Sequence, residues 1–159
     1  MGAKAEAFAK QYETKVQEAT SVLEKLSEAD WKKTTAAEKW TVGVTAHHVA
    51  GAHEPIANIV KTIADGQAMP HFTMEMLDEM NAKHAVEHAG CTKAETLALH
   101  KQGAAKAAAM LRGLSDEVLG KRGTVFTGAP PMSAEEMVTR ALLGHIDDHY
   151  GSIRKTIGG

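Results

Sequence analysis

Apolar residues recur at spacings of three and four along most of the chain, the pattern of helices that bury one face. In the first segment, about residues 3–29, Phe8, Tyr12, Val16, Ala19, Leu23 and Leu26 form the stripe, and Lys and Glu fill the other face. Ala29–Trp40 breaks the pattern and reads as a connecting loop. A second helix is expected from about Thr41 to Ala64, with Thr45, Ala52, Ile56, Ile59 and Ile63 on its stripe and Val49 and Val60 beside it. Pro55 removes a donor and crowds the preceding turn, which predicts a kink near Gly51–Ala52. Asp65-Gly66 ends that helix, with Gly66 as the residue just past the C-cap. A third segment, about Thr73–Ala89, places Leu77, Met80 and His84 on one face. Gly90 interrupts it, and the capping box Thr92-x-x-Glu95 starts a helix carrying Leu97, Ala104, Ala108 and Leu111 to near Gly113. Residues 114–132, punctuated by Gly120, Gly123, Gly128, Pro130 and Pro131, read as a long irregular loop. A second capping box, Ser133-x-x-Glu136, opens the last helix, with Val138, Leu142, Ile146 and Ile153 inward.

No repeat and no strong strand signal interrupts this series, so the expected fold is all-α, a four-helix bundle in one domain over residues 1–159. Composition narrows the partners. Apolar residues are 43% of the chain, enough for a core, and 18 Lys plus Arg against 20 Asp plus Glu leave no basic surplus for nucleic acid. The lone Cys91 excludes a disulfide framework and a cysteine-based zinc module. Cys91 precedes a helix start, where a thiol can be activated, yet no base at informative spacing supports a nucleophile. No apolar run is long enough to span a membrane, and the N-terminal stretch has neither a signal-peptide core nor a myristoylation pattern, Glu6 standing where Ser or Thr is needed. A cytoplasmic protein with neither membrane nor nucleic-acid partners is the expectation.

Nine histidines against seven Phe, Trp and Tyr are the compositional anomaly. His145 and His149 are four apart beside an apolar stripe, so both imidazoles face inward and can converge on one ion. About half of one such pair is expected by chance at this histidine content, and His84 and His88 form a second, so spacing alone leaves ligation and ordinary core imidazoles both open. A third ligand would come from another helix. His48 is in register with Thr45, Ala52 and Ile56, on the core stripe, whereas His47 is in register with Gly51, Glu54 and Asn58. The face therefore favours His48 as the ligand and moves His47 outward, to the surface or to a position that orients a ligand. Asp148 is the other candidate for such orienting, with two solvated acids at Asp147 and Asp148 as the alternative. His84 and His88 are expected near a helix C-terminus, half exposed, at most at the mouth of a site. His53, His71 and His100 have no assigned partner, and no catalytic residue is assigned.

Three segments carry a family resemblance. Lys39-Trp40-Thr41-Val42-Gly43-Val44-Thr45-Ala46-His47-His48 is similar to a Trp-Ser/Thr-Val motif followed by a His eight residues after the Trp, Asn81-Ala82 lies in the third helical segment, and Gly144-His145-Ile146-Asp147-Asp148-His149 with Ile153-Arg154 is similar to a closing His-x3-His helix. In this order they resemble the DinB-like superfamily, the DinB/YfiT metalloenzyme group. The resemblance implies an up-up-down-down bundle with a long crossover. It implies a divalent metal, nickel or zinc, held by His48, His145 and His149, and a homodimer. It also implies a small-molecule substrate, with a low-molecular-weight thiol as co-substrate in some members. The mycothiol-dependent maleylpyruvate isomerase branch resembles the chain more distantly, usually has Glu where His145 stands, and carries a further C-terminal domain. Two functions follow: a metal-dependent transferase or hydrolase, or a non-catalytic metal-binding or interaction bundle.

Overall fold

The computed structural model describes residues 2–158. Helix α1 (Ala3–Lys25) and the short α2 (Glu28–Lys32) open the chain, α3 (Val42–Ala64) and α4 (Met74–Glu87) follow, and α5 (Lys93–Arg112) leads into α6 (Asp116–Leu119). Two two-residue strands, β1 (Arg122–Gly123) and β2 (Met132–Ser133), pair antiparallel. The last helical run is α7 (Ala134–Met137), a π-helical stretch (Val138–Leu143) and α8 (Gly144–Thr156).

Both α1 and α3 pack against α5 and against α8, so α1 and α3 lie across the diagonal of a four-helix bundle. The stripes read from the sequence supply most of its core: Tyr12, Ala19 and Leu23 from α1, Ala104 and Leu111 from α5, and Val138, Leu142, Ile146 and Ile153 from the last run are buried in one cluster. On α3 the buried members are Ile63 and the flanking Val49 and Val60, while Ala52, Ile56 and Ile59 of the expected stripe are only half-buried. Close approach of α3 and α5 needs Gly103, where a Cβ would sit 3.2 Å from the Ala50 carbonyl oxygen. Both capping boxes form, Thr92 with Glu95 and Ser133 with Glu136. At the end of α3, Gly66 adopts φ 70°, and the Gly66 and Gln67 amides close the last turn on the Ile63 and Thr62 carbonyls.

Three expectations change. The segment Ala29–Trp40 is not all loop, because Ser27 and Asp30 cap each other and wind α2. Pro55 lies inside α3 on its exposed side, and the helix runs on to Ala64, the end expected for it. The loop at 114–132 contains α6 and the β1–β2 pair, with Val125 buried. Finally, α4 buries no residue, and Met80, on the apolar face it shares with Leu77 and His84, is 58% exposed. Its apolar positions are real but α4 lies outside the four-helix ring, against α3.

Candidate metal centre

The site is built from a turn, a helix start and a π-helix. Between α2 and α3 the chain makes a tight reversal: Thr34 bridges Thr41, and the Thr35 amide donates to the Trp40 carbonyl at 2.8 Å. Lys39 sits at φ 63°, a left-handed conformation uncommon for a residue with a side chain. This turn delivers Glu38 and Trp40 to the N-terminal end of α3, which Thr41 caps through the Val44 amide. His48 is two turns further along. On the far side, the π-helical stretch Val138–Leu143 resets the helical phase just before His145 and His149, a deviation often found beside functional residues.

The structure brings His48, His145 and His149 together, with one nitrogen of each within 4.8 Å of the others. The Nε2 atoms of His48 and His145 are 2.9 Å apart, and the ring centroids of His145 and His149 are 4.5 Å apart. His149 Nδ1 lies 2.6 Å from Glu38 Oε2, and Ser152 Oγ donates to Glu38 Oε1 at 2.6 Å. A carboxylate only accepts, so Nδ1 carries the proton and a neutral His149 keeps its Nε2 lone pair free. The Trp40 ring meets His48 edge-on at 5.1 Å and stacks on His149 at 6.5 Å, closing one wall.

Burial acts first on the charges here. It lowers His48 to about 4, with His149 and His84 adding positive repulsion. It lowers His145 to about 2, again with neighbouring imidazoles adding to the effect. Both rings are neutral at physiological pH, the form that ligates. For Glu38 burial pushes upward, but the hydrogen bonds from Ser152, His149 and Thr35 outweigh it and hold the carboxyl below its usual value. The donor set therefore fits a divalent ion of the zinc or nickel type: three imidazoles, one oriented by a carboxylate, as metal-ligating histidines commonly are.

The other expected site residues fall elsewhere. His47 is buried rather than outward, because α4 covers the face that spacing assigned to solvent; it meets His84 and His88, half-buried on α4. Asp148 is exposed and makes no hydrogen bond to a histidine among the described residues; the orienting carboxylate is Glu38. His53 and His100 pair in the core, in a chain running from the Tyr12 hydroxyl to His53 Nδ1 at 2.6 Å, from His53 Nε2 to His100 Nδ1 at 3.0 Å, and from His100 Nε2 to Thr20 Oγ1 at 3.1 Å. His71 pairs with Thr127 Oγ1 at 3.0 Å. Cys91 borders a cavity of about 410 Å³ with Trp31 and Thr41, and burial pushes its thiol up, away from an activated thiolate. Glu38 and Ser152 escaped the sequence reading. The only signal for Glu38 was its place two residues before Trp40.

A four-helix bundle of this kind is the DinB-like fold, and the comparisons with known proteins agree on the fold and family. The chain belongs to the family described as mycothiol maleylpyruvate isomerase N-terminal domain, whose model matches residues 12–145, a span that includes His48 and His145 and stops short of His149. Among solved structures it is similar to a mycothiol-dependent maleylpyruvate isomerase, with TM-score 0.73 and 15% identity over 94% of this chain and 60% of that one. A histidine-to-alanine variant of that isomerase matches with TM-score 0.69 and 16% identity, over 96% of this chain and 65% of that one. YfiT from Bacillus subtilis, described as a probable metal-dependent hydrolase with an unusual four-helix bundle topology, matches with TM-score 0.65 and 16% identity over 98% of this chain and 86% of that one. The chain thus spans less than two thirds of the isomerase. No curated protein matches it in sequence. Among the described residues no helix is long and apolar enough to cross a membrane.

Proposed function

We propose that this chain is a metal-dependent enzyme acting on a small molecule, a thiol-dependent transferase or a hydrolase, with His48, His145 and His149 holding a nickel or zinc ion. The observation that carries this reading is the Glu38 clamp on His149. Packing three imidazoles together needs no carboxylate, whereas presenting a lone pair in a fixed direction does. Three protein ligands leave a position open to water or substrate, as catalytic sites do and closed structural sites do not.

A divalent ion there supplies positive charge that makes a bound thiol or water acidic near neutral pH. The protein's own residues do the rest. Glu38 holds the proton on His149 Nδ1, Ser152 holds Glu38, and Trp40 walls off bulk water beside His48 and His149. The similarity to a mycothiol-dependent isomerase supports a low-molecular-weight thiol as co-substrate, attacking a small electrophile. Metal analysis of the purified protein and of His149→Ala, with turnover assays on thiol-plus-electrophile and ester panels, tests the reading. We expect metal and turnover in the wild type and loss of both in the variant. Full metal content in His149→Ala would overturn the ligand set. A metal-loaded protein that chelation destabilises but that turns nothing over would support the non-catalytic bundle instead.

A further inference from the structure

We infer that His47, His84 and His88 form a second divalent-metal site, one that clasps α4 to α3. His47 follows a different face of α3 from its neighbour His48, since consecutive helical residues point about 100° apart. It therefore looks away from the first cluster and toward α4. There it meets the i,i+4 pair His84 and His88, just as His48 meets the i,i+4 pair His145 and His149. One nitrogen from each of the three rings lies within 4.8 Å of the others. His47 Nδ1 is 2.8 Å from His84 Nε2, His47 stacks on His88 at 4.2 Å between ring centroids, and His84 and His88 are 4.8 Å apart. Two neutral imidazole nitrogens at that distance need either one shared proton or one shared ion.

Two further observations favour the ion. His84 Nδ1 is buried without a hydrogen-bond partner, and a proton shared between His84 Nε2 and His47 leaves it so whichever ring carries that proton, so His84 keeps a buried ring nitrogen free for an ion. And α4 has little else to hold it. It buries no residue of its own, and Met74, Met80 and Val86 are 54%, 58% and 79% exposed. A helix with so little buried apolar surface is weakly anchored by hydrophobic contact alone, and an ion bridging His47 to His84 and His88 supplies the missing anchor. The donor set contains neither thiolate nor carboxylate, which selects Zn²⁺, Ni²⁺, Co²⁺ or Cu²⁺ over Mg²⁺ and Ca²⁺. The inference does not rest on the activity proposed above.

The test is titration of the metal-free protein with Zn²⁺ alone, followed by calorimetry and by metal analysis after gel filtration. The panel is wild type, His88→Ala, the milder His88→Gln, His149→Ala and the double variant His88→Ala/His149→Ala. We expect two ions per chain in the wild type, one in each single variant and none in the double variant. Hydrogen exchange across α4 should slow on adding Zn²⁺ to the wild type and to His149→Ala, and not to the His88 variants. Loss of one ion in His88→Ala with none lost in His149→Ala keeps this site and overturns the first ligand set. Two outcomes overturn the inference: His88 variants that bind as many ions as the wild type, or a single ion in the wild type that either substitution abolishes, which would mean one shared site.

Discussion

Replacing Glu38 tests how the first cluster is held. Its carboxylate accepts from His149 Nδ1 at 2.6 Å and from Ser152 at 2.6 Å, and the side chains of Glu38 and His149 are only 10% and 18% exposed. A charged hydrogen bond this short and this sheltered from water is at the strong end of its class. Losing such a partner typically weakens metal binding by about 10–100-fold, or about 1.4–2.7 kcal/mol. Glu38→Ala removes charge and acceptor together and leaves Ser152 and His149 unpaired, so it belongs near 100-fold. Glu38→Gln keeps an acceptor but loses the charge, so it belongs near 10-fold. Ser152→Ala loosens the carboxylate without touching the imidazole and should cost less than either. The assay is competition for Zn²⁺ against a chromophoric chelator at pH 7.5, with melting of the metal-free proteins as the fold control. Dissociation constants within twofold of wild type for both Glu38 variants would refute the claim that this carboxylate orients a ligand.

Two more predictions come from the buried imidazoles and from a glycine. Burial first, then repulsion from His100, pushes His53 down to about 3, and burial also lowers His100. The unfolded chain protonates these rings near 6.5 while the folded one resists it, so stability is complete above pH 6.5 and declines as the pH falls, for His53 down toward 3 at about 1.4 kcal/mol per pH unit, with His100 adding a loss in the same direction. Urea midpoints of the metal-free protein should therefore drop between pH 7.5 and 5; an unchanged or rising midpoint would contradict it. At Gly43 a Cβ would collide with the Trp31 indole, which also donates Nε1–H to the Cys91 carbonyl at 3.0 Å. Gly43→Ala should lose about 1–3 kcal/mol by overpacking, measured by chemical denaturation, and should be neutral in a Trp31→Ala background if the collision is the cause.

Periodicity reached the bundle because each long helix carries an unambiguous stripe, and a ligand pair four residues apart inherits its direction from that stripe. Both readings fail where an element has more than one buried side. From Val42 to His47 every residue of α3 is buried, since α5, α8 and α4 all pack on this helix. An arithmetic that grants a helix one inward face must then send His47 to solvent, although it points at a neighbour. The position of α4 was equally out of reach, because its apolar residues imply a buried stripe that its place outside the ring denies. Glu38 failed for a different reason. No periodicity governs a residue delivered by a left-handed turn at Lys39, and its partner His149 is more than a hundred residues away. What can be read locally is the direction of a side chain relative to its own helix. What cannot is which surface a second element brings to meet it, and the difference between one cluster of histidines and two lies entirely in that second quantity.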